Sequence, residues 1–139
     1  MDATLHRQRI VAANSTVPII LVVEDERDNL LLISHVLIFL KLNFITATEA
    51  KAALELATKY EIDLVLLDLV LPDTNGFELA KSLRQGKLTK NLPIIAVSGL
   101  AAEDDRDFAF KSGCNDYIVK PYSIDDLKNA IDRYLPLIR

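Results

Sequence analysis

Five short, mostly apolar runs recur along the chain, and each is followed by a longer stretch whose apolar residues have helical spacing. The runs occupy residues 17–23, 44–47, 62–71, 93–98 and 116–120. Their length and their content of Val, Leu and Ile are typical of strands buried on both faces of a sheet. Strands that alternate with helices predict an α/β fold, in which a five-stranded parallel sheet carries helices on both sides.

Local signals indicate where some of these elements begin. Thr48 and Ser123 are placed to cap the second and fifth helices, and Asp126, three residues after Ser123, completes a variant of the capping box. Residues 1–16 show no periodicity, so we expect a flexible N-terminal tail, followed by one domain over residues 17–139.

The first helix, predicted over residues 29–40, contains no charged residue. Its inward stripe is apolar, yet further large apolar side chains lie off that stripe: Leu31, Leu32, Ile38 and Phe39. A helix in an outer layer is normally polar on this side. We therefore predict a contact surface here, for a second subunit or for the chain's own tail.

Composition limits the classes of function. With 139 residues, half of them hydrophobic, the chain can form one globular domain with a sizeable core. The net charge of -4 and the pI of about 5.1 disfavour direct binding to nucleic acid or to an anionic membrane. The single cysteine, Cys114, excludes an internal disulfide and favours a reducing compartment. Because no apolar run reaches the roughly 20 residues of a membrane span, and no signal core begins the chain, we expect a cytoplasmic protein.

Polar residues of the kinds found at catalytic sites stand at the ends of the predicted strands. Glu24-Asp25 follows the first strand, and Asp68 lies at the end of the third, which stops shortly after it because Pro72 cannot continue a central strand. Ser98 ends the fourth strand and Lys120 the fifth. Since the carboxyl ends of parallel strands share one edge of the sheet, these groups are expected to converge there. Carboxylate oxygens at this density suit Mg²⁺. A carboxylate held beside a metal, a hydroxyl and an ammonium group is able to attack phosphorus.

Simpler roles are open for several of these acids. Asp68 could do no more than cap the turn that follows it, and Asp25 or Asp28 could cap the first helix. Capping does not explain why the acids gather at the end of a strand. The four acids between Glu24 and Asp28 would repel one another unless a cation or a helix N-terminus lay among them.

In this order along five alternating strands and helices, the motifs resemble those of the response-regulator receiver domains of two-component signalling. The likeness covers about residues 17–136, and its marks are Glu24-Asp25, Asp68-Leu69-Val70-Leu71-Pro72 with Gly76, Ser98-Gly99, and Tyr117-Ile118-Val119-Lys120-Pro121. The resemblance implies a flavodoxin-like (βα)5 fold, in which a doubly wound sheet has five parallel strands in the order 2-1-3-4-5.

The resemblance also implies roles for the acids and the lysine. Asp68 would accept a phosphoryl group, and Lys120 would pair with the oxygens of that group. Mg²⁺ would be held by Glu24, Asp25, Asp68 and the backbone carbonyl of Val70, with Glu24 acting through a water molecule.

A switch is implied at the last two strands. Ser98 would close its hydroxyl onto the phosphoryl group, and Tyr117 would turn inward as Ser98 moves. This change would remodel the face formed by the fourth helix, the fifth strand and the fifth helix. The simpler alternative for Tyr117 is a half-buried strand aromatic. The peptide bond from Lys120 to Pro121 would be cis.

The implied function is that of a single-domain response regulator. A sensor histidine kinase or a phosphotransfer protein would phosphorylate Asp68, and the protein would catalyse only its own phosphorylation and dephosphorylation. Because the last predicted helix ends by Pro136, no output domain is expected. The signal would then pass by docking to an effector protein or by relay of the phosphoryl group, with no direct nucleic-acid or membrane partner. A homodimer would use the first helix or the fourth-helix to fifth-helix face.

Three rival interpretations are open. A phosphatase resembling the haloacid dehalogenases would need a second aspartate where Val70 stands. A flavodoxin-like binder of a flavin phosphate would need anion-binding groups in the first loop, where Glu24-Asp25-Glu26 would repel the phosphate. A degenerate receiver would bind its partners without phosphorylation.

Two positions beside the predicted site bear on the lifetime of a phosphoryl group. In receivers, the positions two residues after the phosphoacceptor and two after the switch hydroxyl flank the route of an attacking water, and here they are Val70 and Leu100. Neither side chain can orient or deprotonate water. We therefore predict a phosphoryl-aspartate that hydrolyses more slowly than in receivers with polar groups at these positions.

Overall fold

The structure is a computed structural model that describes residues 4–6 and 17–135. Its strands form one sheet and are β1 (Thr4–His6), β2 (Ile19–Val23), β3 (Asn43–Ala47), β4 (Leu64–Leu67), β5 (Ile94–Ser98) and β6 (Asp116–Val119). They are arranged in the order β1-β3-β2-β4-β5-β6, and β2 to β6 run parallel to one another. The parallel part has the predicted order 2-1-3-4-5, so the predicted fold class is confirmed.

A helix follows each parallel strand, and the helices are α1 (Arg27–Phe39), α2 (Ala50–Lys59), α3 (Gly76–Gln85), α4 (Glu103–Ser112) and α5 (Ile124–Tyr134). Helix α5 starts with the predicted capping box of Ser123. It buries Leu127, Ala130 and Ile131 of its predicted stripe, whereas Tyr134 is only half-buried. Within the described part of the chain, every helix is too short or too polar to cross a membrane.

The sheet separates two layers of the core, because successive strand residues point to opposite faces. In β2, Leu21 and Val23 pack on the side covered by α2, α3 and α4, whereas Ile20 and Val22 pack on the side covered by α1 and α5. The buried side chains of β2 to β6 are hydrophobic except for Thr46 and Ser98, which lie in the last two positions of their strands. Polar groups on the strands are therefore concentrated at the strand ends.

Strand β1 differs from the sequence-based expectation of a tail. It pairs antiparallel with the outer edge of β3, where Leu5 lies opposite Ile45. A strand of 3 residues has no periodicity of its own, and its partner is distant in the sequence, so the local pattern does not reveal it. The other residues of the predicted tail, 1–3 and 7–16, lie outside the described residues.

The predicted cap of α2 was wrong, and the alternative that Asp25 or Asp28 caps α1 does not hold. Helix α1 is capped by Glu26, whose side chain accepts a backbone N–H of the first turn at 2.8 Å, and neither Asp25 nor Asp28 takes this place. The N-cap of α2 is the residue after Thr48, and it forms no side-chain cap bond. The first N–H groups of α2 bond instead to the carboxylate of Asp73, which comes from a different loop.

The outer side of α1 is exposed and apolar, as its composition predicts. The exposed fractions of Leu31, Leu32, Ile38 and Phe39 are 48%, 54%, 55% and 72%. The predicted contact of this surface with a partner stays a prediction.

Candidate functional site

Backbone bonds hold the strand-end groups at one edge of the sheet. Glu24 donates its N–H to the last carbonyl of β3 at 3.0 Å, and Asp68 donates to the last carbonyl of β2 at 2.9 Å. Lys120 donates its N–H to the carbonyl of Ser98 at 2.8 Å. These residues thus continue the ladders of neighbouring parallel strands, which fixes the backbone from which their side chains project.

The side chains of three strand ends meet at this edge. The Lys120 Nζ lies 2.6 Å from Oε1 of Glu24 and 3.5 Å from Oδ2 of Asp68. Carboxylate oxygens of Glu24, Asp25 and Asp68 all lie within 4.8 Å of one another. The structure therefore brings three carboxylates and one ammonium group into a single cluster.

Glu24 is buried in this cluster, with only 5% of its surface exposed. Its Oε2 accepts the N–H of Glu26 at 3.1 Å, while Oε1 accepts the bond from Lys120. Burial raises the pKa of Glu24 to about 7, outweighing the lowering effect of the bond from Lys120, and the nearby carboxylate of Asp68 raises it further. An additional cation at this place would favour the ionised form of Glu24.

The two oxygens of Asp68 have different partners. Oδ1 accepts the backbone N–H of Val70 at 3.2 Å, and Oδ2 faces the ammonium group of Lys120. Asp68 is buried, with 7% of its surface exposed. It therefore caps its own turn, as the simpler interpretation holds, and at the same time keeps one oxygen directed at the cluster.

The donor set of the cluster fits Mg²⁺. All the candidate side-chain ligands offer oxygen, which this ion prefers, and three carboxylates exceed the single positive charge of Lys120. Asp25 is exposed, which leaves room for the water ligands that Mg²⁺ usually retains. A cavity of about 390 Å³ adjoins the cluster, and its lining includes Glu24, Asp68 and Lys120 together with Leu32 and Ile33 of α1.

The two predicted switch residues lie on β5 and β6. Ser98 is completely buried, and its Oγ accepts the N–H of Leu100 at 3.2 Å. Tyr117 is also buried, and its hydroxyl donates a hydrogen bond to the carbonyl of Leu100. Burial raises the pKa of the Tyr117 hydroxyl, which keeps it protonated as a donor. The loop after β5 thus joins the two residues, and Tyr117 points inward in this structure.

The backbone at the remaining predicted positions is also defined. The peptide bond between Lys120 and Pro121 is in the cis form that the resemblance implied. The side chain of Val70 is 57% exposed. Gly76 begins α3 directly against the segment that follows β4: a Cβ at Gly76 would lie 2.5 Å from the carbonyl oxygen of Asp68. Only glycine fits this approach.

Sequence reasoning did not identify Asp73. Its carboxylate accepts the N–H of Ala50 at 2.9 Å and that of Lys51 at 3.0 Å, so it joins the loop after Asp68 to the start of α2. An exposed aspartate in a Pro-Asp turn looks like an ordinary turn residue. No sequence signal marked this role, because Thr48 offered a conventional cap for α2 and Ala50 lies 23 residues from Asp73.

The sequence matches the family described as response regulator receiver domain over residues 20–132. It is 31% identical over 116 residues to the polar-differentiation response regulator DivK of Brucella ovis, covering 84% of this chain and 94% of that protein. It is 35% identical over 117 residues to a probable cyclic di-GMP phosphodiesterase of Vibrio cholerae, covering 84% of this chain but only 26% of that protein.

The chain is also similar in fold to solved structures of related proteins. The receiver domain of the sensor histidine kinase PA1611 from Pseudomonas aeruginosa, with a magnesium ion coordinated in its active site cleft, has a TM-score of 0.80 and 28% identity, covering 86% of this chain and 98% of that chain. The chemotaxis protein CheY4 of Vibrio cholerae has a TM-score of 0.81 and 25% identity, covering 86% of this chain and 100% of that chain.

Proposed function

Because the chain belongs to the response regulator receiver domain family, we propose that Asp68 is its phosphoacceptor. One observation carries the proposal: the Asp68 carboxylate lies in a cluster with the Lys120 ammonium and the acids Glu24 and Asp25. A sensor histidine kinase or a phosphotransfer protein would supply the phosphoryl group from a phosphohistidine.

The different partners of the two Asp68 oxygens suit this reaction. An Asp68 oxygen forms a bond to phosphorus as the P–N bond of the phosphohistidine breaks, and the histidine nitrogen keeps the electron pair. Oδ1 is held by the N–H of Val70, whereas Oδ2 lies on the side of Lys120. The ammonium group has three donors, so it can bond to phosphoryl oxygens while it remains near Glu24.

Glu24, Asp25, Asp68 and the backbone carbonyl of Val70 would hold Mg²⁺. When bound, the ion would offset the negative charge of the phosphoryl oxygens as they approach the acids. The oxygen donor set supports this assignment, and so does the magnesium-bound cleft of the related PA1611 receiver domain.

Ser98 and Tyr117 would carry the signal away from Asp68. To bond to a phosphoryl oxygen, the Ser98 hydroxyl would turn from the N–H of Leu100, and the Tyr117 hydroxyl bond to the same loop would respond. Tyr117 lies on β6 between α4 and α5, so such a change would alter the surface formed by these three elements. We place the docking of an effector, or the onward relay of the phosphoryl group, in the cytoplasm.

Incubation with acetyl phosphate and Mg²⁺, followed by mass measurement of the intact protein, tests the phosphoacceptor. The expected result is a gain of the mass of one phosphoryl group, which requires Mg²⁺ and is absent from Asp68→Asn. Asp107→Asn, which alters an exposed carboxylate of α4, serves as the matched control and should be modified like the wild type. Absence of the adduct from the folded wild-type protein would contradict the proposal and support a degenerate receiver.

A further inference from the structure

The tip of the loop between β4 and α3 is attached to the start of α2 by one side chain. Asp73 Oδ1 accepts the N–H of Ala50 at 2.9 Å, and Oδ2 accepts the N–H of Lys51 at 3.0 Å. Each oxygen therefore has its own donor, in the geometry of a helix cap. The N-cap residue Glu49 supplies no side-chain bond of its own, so Asp73 satisfies donors at the start of α2 that would otherwise depend on water.

The loop that Asp73 holds also carries the Asp68 side of the candidate metal site. The N–H of Val70 bonds to Asp68 Oδ1 at 3.2 Å, and Val70 forms an isolated antiparallel bridge with Asn75. The N–H of Gly76 bonds to the carbonyl of Leu69 at 2.9 Å, which closes the base of the loop. The base is thus held by backbone bonds, and the tip is held by Asp73.

The start of α2 is connected in turn to the Glu24-Asp25 side of the site. The N–H of Glu24 bonds to the carbonyl of Ala47 at 3.0 Å, and Ala47 is three residues before Ala50. The short stretch from Ala47 to Lys51 therefore contacts both ligand-bearing loops. Its hydrogen bond with the first loop is between backbone atoms, whereas its hydrogen bonds with the second are accepted by the Asp73 carboxylate.

From this arrangement we infer that Asp73 is a positioning residue, which sets the distance between the Glu24-Asp25 loop and the Asp68-Val70 loop across the metal site. The inference rests on the proposed function, because it concerns the cation that those loops would hold. Asp73 is three residues beyond Val70 and is not itself a ligand in this proposal. Its effect would come through the position of the Val70 carbonyl relative to the three carboxylates.

The charge of Asp73 adds to the strength of this attachment. A carboxylate that accepts backbone N–H groups at a helix N-terminus is stabilised by the helix dipole as well as by the two bonds. The bond from Ala50 is the main reason that the pKa of Asp73 is lowered, so the group is ionised at neutral pH. Removal of the carboxylate would free the loop tip while leaving every candidate ligand in the chain.

The test is a titration of the folded protein with Mg²⁺, in which binding is monitored through the amide NMR signals of residues around the cluster. Only folded molecules contribute to these signals, so a loss of stability does not imitate a loss of affinity. For Asp73→Ala, we expect the Mg²⁺ Kd to rise about fivefold, which corresponds to the ~1 kcal/mol typical of a lost cap. Asp73→Asn, which keeps one acceptor oxygen, should show a smaller rise.

Asp63 supplies the matched control. Its Oδ2 accepts the N–H of Ile19 at 2.8 Å, so it too is an exposed aspartate that joins two segments, but at the opposite edge of the sheet. Asp63→Ala should lower the free energy of unfolding and leave the Mg²⁺ Kd unchanged. An equal Kd for Asp73→Ala and wild type, or equal changes in Asp73→Ala and Asp63→Ala, would overturn the inference. If the wild-type protein bound no Mg²⁺, the proposed function itself would fail.

A second measurement separates positioning from chemistry. The rate of phosphorylation by acetyl phosphate is followed as a function of Mg²⁺ concentration for wild type and Asp73→Ala. A positioning role predicts that half-saturation shifts to higher Mg²⁺ by the same factor as the Kd, while the rate at saturation is recovered. A saturating rate that stays low with unchanged half-saturation would contradict a role through the metal site.

Discussion

If Asp68 is phosphorylated as proposed, single residues around it determine what can reach the phosphoryl group. Val70 is 57% exposed and Leu100 is partly buried, and both side chains are aliphatic. Both backbone groups of Leu100 form hydrogen bonds: its N–H donates to Ser98 Oγ, and its carbonyl accepts from the hydroxyl of Tyr117. A change of the Leu100 side chain can therefore alter the path of water without removing these two backbone bonds.

The first prediction concerns the lifetime of the phosphoryl-aspartate. In Leu100→Glu, a carboxylate would be available to orient and deprotonate the attacking water, so the half-life should fall by about tenfold, less than the roughly 10²–10⁴-fold effect of a general base that the fold has positioned. The decay is measured by loss of the phosphorylated mass from the isolated protein. Leu88→Glu, which adds the same charge at a 79% exposed position on another loop, is the control, and its phosphoryl group should be lost at the wild-type rate. A wild-type half-life on the order of seconds would contradict the underlying hypothesis.

The second prediction follows from Cys114, which lies buried next to Arg84. Burial raises the pKa of the thiol to about 11 from its ordinary value of 9.0, although the charge of Arg84 lowers it. Between these two values the unfolded chain loses this proton while the folded protein keeps it. The stability linked to Cys114 is thus fully present below pH 9 and is lost as the pH rises through about 11.

Urea unfolding of wild type and Cys114→Ala across this pH range measures the effect. As the pH rises through the thiol pKa values of the unfolded and folded states, the free energy of unfolding should fall by roughly 2–3 kcal/mol more in the wild type than in Cys114→Ala. This is the size expected for such a pKa shift. Parallel pH curves for the two proteins would show that Cys114 is not responsible. Iodoacetamide should also label the native thiol far more slowly at pH 8 than the unfolded one, because only the thiolate reacts.

At the scale of helices and strands, local patterns were informative where the cause was local. The capping box of Ser123 and the apolar stripe of α5 both lie within a few residues of sequence, and both were predicted. The cap of α2 was missed because Asp73 lies 23 residues away from its partner Ala50. Periodicity within one segment contains no information about such a bond.

The third prediction concerns the exposed surface of α1. If this surface mediates self-association, Ile38→Glu should abolish it, because a charge would be buried against apolar side chains of the second copy. Sedimentation velocity over a range of protein concentrations is the measurement. Val119→Glu, at a 37% exposed position of β6 between α4 and α5, tests the other candidate surface in the same way. A sedimentation profile that Ile38→Glu leaves unchanged would exclude α1 as the dimer contact.

At the scale of the whole molecule, the order of the strands explains why the site could be predicted without coordinates. Glu24, Asp68 and Lys120 are far apart in the sequence, but each follows a strand of one parallel sheet, so their convergence follows from topology alone. What topology does not supply is the individual distance, such as the 2.6 Å between Lys120 and Glu24. Strand β1 was not predicted, because its pairing depends on a free edge of β3.

If the converging acids hold Mg²⁺ as proposed, the stability of the whole domain should depend on this ion. Mg²⁺ that binds the folded protein and not the unfolded chain should stabilise it by about 1.4 kcal/mol when the free ion is at ten times its Kd, which raises Tm by roughly 5 °C for a domain of this size. Thermal unfolding is compared with and without Mg²⁺ at equal ionic strength. Asp25→Asn should reduce the rise in Tm, whereas Asp107→Asn, outside the cluster, should retain it. Asp25 is one of the three clustered carboxylates whose mutual repulsion the ion would relieve, whereas Asp107 is not. An equal rise in Tm for wild type, Asp25→Asn and Asp107→Asn would therefore mean that the ion acts elsewhere.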